Sequence, residues 1–239
     1  MDGKQSVVTS ERFAKGMSFD QYVADVGTPE NLGREAGQAG EKRRDWSGFL
    51  RERYQKIRLS DAQQAAIRWL ASQPGGPAKI LVISEDWSSD CRRDVPMLAR
   101  LAEAGGLELR IFRRDGQKFS ASQAPSLAEA PDSNADIMAE FMNVKNGAAW
   151  QSIPVAVFYT KDLEHLYHYV EYPAIYHKDP IVYGHIRKPR PGETPEQTRE
   201  RANREFPALQ ASPFFEIWAC AGIDEILSSL HRRLLLGTV

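Results

Sequence analysis

Residues 73–112 constrain the fold more than any other part of the chain. The breaker Q-P-G-G-P at 73–77 is followed by a short apolar run, A-K-I-L-V-I-S, at 78–84. Val95, Leu98, Leu101 and Ala102 then recur at helical spacing until Gly105-Gly106, and L-E-L-R-I-F follows at 107–112. A continuous apolar run of that length suits a strand buried on both faces, and strands alternating with helices build a layered α/β structure.

The surrounding sequence extends this pattern. Residues 116–134, rich in Ser, Ala, Gln and Pro, read as a long surface loop. A helix is expected near 135–143 and a strand over Ser152–Tyr159, with His165–Tyr172 folding back on that strand as a hairpin. Upstream, 18–57 is helical in pattern, with Thr28-Pro29 opening a helix that Gly33, Gly37 and Gly40 weaken. Ser60-x-x-Gln63 is a capping box for a helix whose Ala65, Ile67, Trp69 and Leu70 are expected to pack inward. Downstream, Thr194-x-x-Gln197 is a second box, and Ile226, Leu227, Leu230 and Leu234 form one stripe of a final helix from Ile223 to Leu236. The expected organisation is a flexible arm at 1–17, a helical extension at 18–76, a core at 77–173 with four or more strands, and a charged linker with C-terminal helices at 174–239.

Charge and cysteine content narrow the function. With 31 basic and 32 acidic residues the formal charge is -1, so no global field favours nucleic acid or an anionic membrane. No uncharged run approaches the roughly 18 apolar residues of a membrane span, and M-D-G-K-Q-S-V-V-T-S lacks an export pattern. A soluble, cytoplasmic protein is expected. Its two cysteines, Cys91 and Cys220, make no disulfide framework. His165, His168, His177 and His185 do not suggest a metal: His165 and His168 are three apart on a predicted strand and should point to opposite faces.

The candidate site is E-D-W-S-S-D-C at 85–91, where the first strand feeds the next helix. The first N–H groups of that helix favour negative charge, which would ease deprotonation of a thiol in its first turn. Ser88 and Cys91 face the same side, one helical turn apart. A cysteine at 88 would complete C-x-x-C, the motif of thiol-disulfide exchange; a hydroxyl there has no such redox chemistry. Two roles stand for Cys91, a reactive thiol or a small buried residue beneath the corner. For Ser88 three stand: a helix N-cap, a replacement of a native cysteine that traps or silences the site, or a hydrogen-bond partner for a bound thiolate. Glu85 and Asp86 are candidate proton carriers or plain solvated or capping carboxylates, and Trp87 a candidate binding rim. Cys220, among bulky apolar residues, is expected in the core.

These residues resemble the thioredoxin-like family, and within it a bacterial branch whose active-site stretch reads W-C-G-D-C after E-D at the strand end. Glu85, Asp86, Trp87, Asp90 and Cys91 match that stretch; Ser88 and Ser89 depart from it. Pro96 lies where the family carries a helix-kinking proline, and R-R-D-V-P-M-L-A-R-L resembles the branch's continuation. Ile153-Pro154 resembles its cis-proline, which binds substrate backbone. The resemblance covers about Ser18 to Pro173. It implies a thioredoxin-like βαβαββα fold, with Ser88 and Cys91 at the catalytic positions. Trp87, Ser89, Asp90, Ile153 and Pro154 would line the site for protein or peptide thiols and disulfides. No cofactor is called for. Because S-x-x-C stands in place of C-x-x-C, dithiol turnover is expected to be absent or impaired. The alternatives are a non-catalytic peptide- or partner-binding module, and a glutathione-dependent enzyme using Ser88.

Overall fold

The computed structural model describes residues 6–237. The sheet is built from β1 (Lys79–Ser84), β2 (Glu108–Arg113), β5 (Val155–Tyr159) and β6 (His165–Val170), in spatial order β2-β1-β5-β6. β1 and β2 run parallel, whereas β5 pairs antiparallel with both β1 and β6. Between β1 and β2 lies α6 (Ser89–Gly105), closed by Gly106 in the left-handed conformation. Glycine alone adopts that conformation freely, so the double glycine marks the helix end. The β5–β6 hairpin and the succession of strands and helices along the chain are those expected.

β1 and β5 are buried along nearly their whole length, which is why both read as continuous apolar runs rather than alternating ones. α6 packs on β1 and β2 and is flanked by α4 (Ser47–Lys56), α5 (Asp61–Ser72) and α9 (Phe214–Leu236). The capping boxes at Ser60 and at Thr194, which opens α8 (Pro195–Gln210), are both complete. A third at Ser18 opens α2 (Phe19–Val26), and Thr28 caps a single turn, α3 (Pro29–Leu32), ended by Gly33.

Several expectations fail for local reasons. Residues 1–5 of the expected arm lie outside the described residues, but residues 6–17 are not loose. Thr9 caps α1 (Ser10–Ala14), Val8 and Phe13 are buried, and Met17 pairs with Ile111 across the edge of β2. In α5, Ile67 and Leu70 are buried, while Ala65 and Trp69 face solvent, Trp69 lying against His231 of α9. The helix expected over 135–143 is only α7 (Ala135–Met138), because the chain turns at once into the hairpin β3 (Asn143–Lys145) and β4 (Ala148–Trp150). α9 begins already at Phe214, and Cys220 on it is half-buried rather than in the core. An irregularity between Phe158 and Tyr159 shifts the β5–β6 register, and His165 Nε2 comes within 3.2 Å of His168 Nδ1. The two rings therefore meet rather than diverge. A bulge of this kind breaks the strict two-residue period on which the opposite-face expectation rested.

No helix among the described residues is long and apolar enough to cross a membrane. No group of three or more His, Cys, Asp or Glu among them is arranged to hold a metal ion.

Candidate functional site

The corner begins where β1 ends. Ser88 is the N-cap of α6, its Oγ accepting the Cys91 backbone N–H at 3.4 Å. A serine at this position satisfies one of the four N–H groups that a helix start leaves unpaired. The thiol of Cys91 lies inward and accepts the Glu85 N–H at 3.5 Å. Ser84, at the tip of β1, exchanges a hydrogen bond of 3.0 Å with the Tyr22 hydroxyl from α2.

Cys91 is 1% exposed and Ser88 8%. Burial pushes the Cys91 thiol up to about 12, against the lowering influence of Ser84, the Glu85 amide and Ser88. Desolvation therefore outweighs the helix terminus, which favours the buried-residue reading of Cys91 over that of an easily ionised thiol.

Glu85 and Asp86 are enclosed by the N-terminal extension rather than solvated. Arg34 Nη2 donates to Glu85 at 2.7 Å, and Arg43 Nη1 reaches Glu85 at 2.7 Å and also pairs with Asp86. Glu85 Oε1 accepts the Asp115 N–H at 2.7 Å as well. Burial raises the Asp86 carboxyl, with Arg43 opposing that shift. Both carboxylates thus act as counter-ions that fasten the extension to the corner, and this network was not legible because its arginines lie some 40–50 residues upstream.

Asp90, expected to meet substrate, is already engaged on both oxygens. Arg93 Nη1 donates to one at 2.8 Å and Lys178 Nζ to the other at 2.6 Å. Arg93, fully buried, also forms a two-pronged pair with Asp94, whose Oδ2 accepts the Tyr169 hydroxyl at 3.0 Å. Lys178 arrives from the segment leading into a π-helix (Asp179–Ile186), so the C-terminal region also presses on the first turn of α6.

Ile153-Pro154 is a cis peptide bond, as the resemblance implied. The pairing of Ile83 with Val155 places Pro154 beside Ser84, at the end of the sheet that bears Cys91. Ile153 is buried, and the Pro154 carbonyl accepts the Glu171 N–H at 2.8 Å, continuing the β5–β6 ladder. Of the expected lining, only Trp87 and Ser89 remain partly exposed. Trp87 is flanked edge-on by Phe119 at 5.8 Å and by the Arg114 guanidinium at 5.3 Å. Gly37 completes its setting: φ is +69° there, and a Cβ would come 3.1 Å from the indole. The 116–134 loop is tied down beside it by Glu35, which accepts the Phe119 N–H at 2.9 Å.

Residues 38–129 match the model of the family described as Thioredoxin, a span containing β1, α6 and β2. A crystal structure of a protein of unknown function from Pseudomonas aeruginosa is similar in fold, at 16% identity and a TM-score of 0.51. The likeness covers 94% of this chain and 98% of that one. An HIV epitope-scaffold is similar over 95% of this chain and 98% of its own, at 16% identity and a TM-score of 0.48. No curated protein matches.

Proposed function

We propose that this chain, a protein with a thioredoxin-like domain, holds a protein or peptide partner in the cytoplasm and does not turn over dithiols. Its S-x-x-C corner is then a rigid scaffold descended from, or silenced within, the W-C-G-D-C pattern. The observation that carries this reading is the pairing of Ser88 Oγ with the Cys91 N–H above a buried, protonated thiol. Thiol-disulfide exchange needs an accessible thiolate to attack and a second thiol to resolve the mixed disulfide. The corner has no second sulfur, and the one it has is shielded.

Partner binding fits what remains open. Trp87 and Ser89 are partly exposed at the end of β1, the strand that the cis-proline adjoins, and are held by rigid elements. An aromatic side chain on a fixed scaffold gives contact area at low entropic cost.

The test is a dithiol-dependent insulin reduction assay on this chain, its Cys91→Ala variant and its Ser88→Cys variant. Turnover by the unaltered chain no faster than by Cys91→Ala is the expected result; turnover that depends on Cys91 overturns the reading. A gain of activity in Ser88→Cys shows that the scaffold still positions a redox pair and that the serine alone silences it.

A further inference from the structure

Arg92 is the one guanidinium at the corner with no carboxylate partner among the described residues. It is 7% exposed, and burial lowers its pKa to about 10, which leaves it charged at neutral pH. Its Nη1 donates to the Asp86 carbonyl at 2.9 Å and the Trp87 carbonyl at 2.8 Å, the two residues just before the N-cap. The guanidinium lies 3.9 Å over the Trp46 ring. Arg34, Arg43, Arg93 and Arg114 each have a carboxylate within 2.9 Å. The Asp86 and Asp90 carboxylates are bound by Arg43, Arg93 and Lys178 instead.

Nε and Nη2 of Arg92 accordingly have no hydrogen-bond partner among the described residues, and neither is fully sealed from solvent. These two donors form the edge of a guanidinium that grips a carboxylate with two parallel bonds. The ring beneath and the two carbonyls fix its plane, so little entropy remains to be lost on binding. At the same turn the amides of Ser89 and Asp90 also lack partners, as the first N–H groups of a helix do. Since the surrounding acids and bases largely neutralise one another, donor geometry rather than net field would select the ligand.

We propose that this edge of Arg92 anchors a carboxylate of the partner peptide, from an acidic side chain or a C-terminus, arriving beside Trp87 and Ser89. The proposal rests on the peptide-holding reading and names its ligand chemistry. A phosphate or sulfate has the same charge sign but a tetrahedral oxygen set, which serves as the contrast in the test.

The experiment follows the Arg92 Nε–H resonance of the isotopically labelled full chain, assigned by its loss in Arg92→Lys. Four probes are titrated: acetyl-Gly-Gly-Asp-Gly-Gly-amide, its Asn counterpart, acetyl-pentaglycine with a free C-terminus, and sodium sulfate. The expected result is that at least one carboxylate peptide shifts the resonance and binds about tenfold or more tightly than the Asn peptide. Whichever carboxylate peptide does so identifies the source. Arg92→Lys, which keeps the charge but loses the fork, should weaken that binding by about tenfold. Equal binding of the Asp and Asn peptides, or unchanged Asp-peptide binding in Arg92→Lys, overturns the anchor while leaving peptide holding intact. A response to sulfate as strong as to the peptides overturns the carboxylate assignment. No response of the Arg92 resonance to any peptide overturns the anchor; backbone amide shifts in the same titrations report peptide holding, and their absence overturns that reading as well. The titration of the unaltered chain decides the matter even where a variant folds poorly.

Discussion

The reactivity of Cys91 follows quantitatively from its burial. With the thiol pushed up to about 12, the thiolate fraction at pH 8 is about 10⁻⁴. An ordinary thiol of pKa ~8.5 is about one-quarter ionised at the same pH, a deficit for Cys91 of roughly 3.4 decades. A more basic thiolate is the better nucleophile, with a Brønsted slope of about 0.4–0.5, and this returns roughly 1.6 decades. Cys91 should therefore exchange with an aromatic disulfide reagent about 60-fold more slowly than an ordinary thiol, before any penalty for access. At 1% exposure that penalty is added, since reagent reaches the sulfur only when the corner opens. Peptide mapping by mass spectrometry after timed exposure to 4,4′-dithiodipyridine separates Cys91 from the half-buried Cys220. Cys220 should label first, and the Cys91 rate should climb about tenfold per pH unit through pH 9 without a plateau. A plateau below pH 9, or labelling of Cys91 at the rate of a free thiol, would refute the argument from desolvation.

Three other perturbations probe the corner. Arg43→Met strands Glu85 and Asp86 with only part of their compensation and should lower stability by about 3–5 kcal/mol in urea unfolding. Gly37→Ala places a Cβ at a positive φ and 3.1 Å from Trp87; a loss of about 1–2 kcal/mol with altered indole emission is expected. Asp115, pushed up to about 6 mainly by burial, binds its proton more tightly folded than unfolded. Its contribution therefore falls as pH rises from about 4 to about 6, by about 2–3 kcal/mol, and unfolding curves of Asp115→Asn should show that slope flattened.

The core was legible because its signals are local. A buried strand, a capped helix and a double-glycine stop all lie within residues 78–106, and each is set by neighbours in sequence. The strand-to-helix corner capped by Ser88 and the cis bond before Pro154 were legible for the same reason. Their environments were not. Whether Cys91 ionises depends on what covers it, and whether Asp90 is free depends on Lys178, 88 residues away. Glu85 and Asp86 read as candidate proton carriers because a carboxylate in a motif carries no mark of the arginine that neutralises it. The bulge that joins His165 to His168 was hidden because one residue of slip reverses every facing assignment beyond it.

The flanking segments also explain why Arg92 differs from its neighbours. The extension supplies Arg34 and Arg43 to the carboxylates that end β1, and the C-terminal segment supplies Lys178 to Asp90. Each of these pairings engages a charged group at the corner, and breaking it for a ligand would leave a buried charge alone. Arg92 makes no ion pair among the described residues. It holds the backbone of Asp86 and Trp87 with one nitrogen, lies over Trp46 of the extension, and leaves two donors without partners among the described residues. On the proposed reading, a ligand arriving there would form bonds without displacing any, which favours entry at this edge over the buried Ser88–Cys91 line.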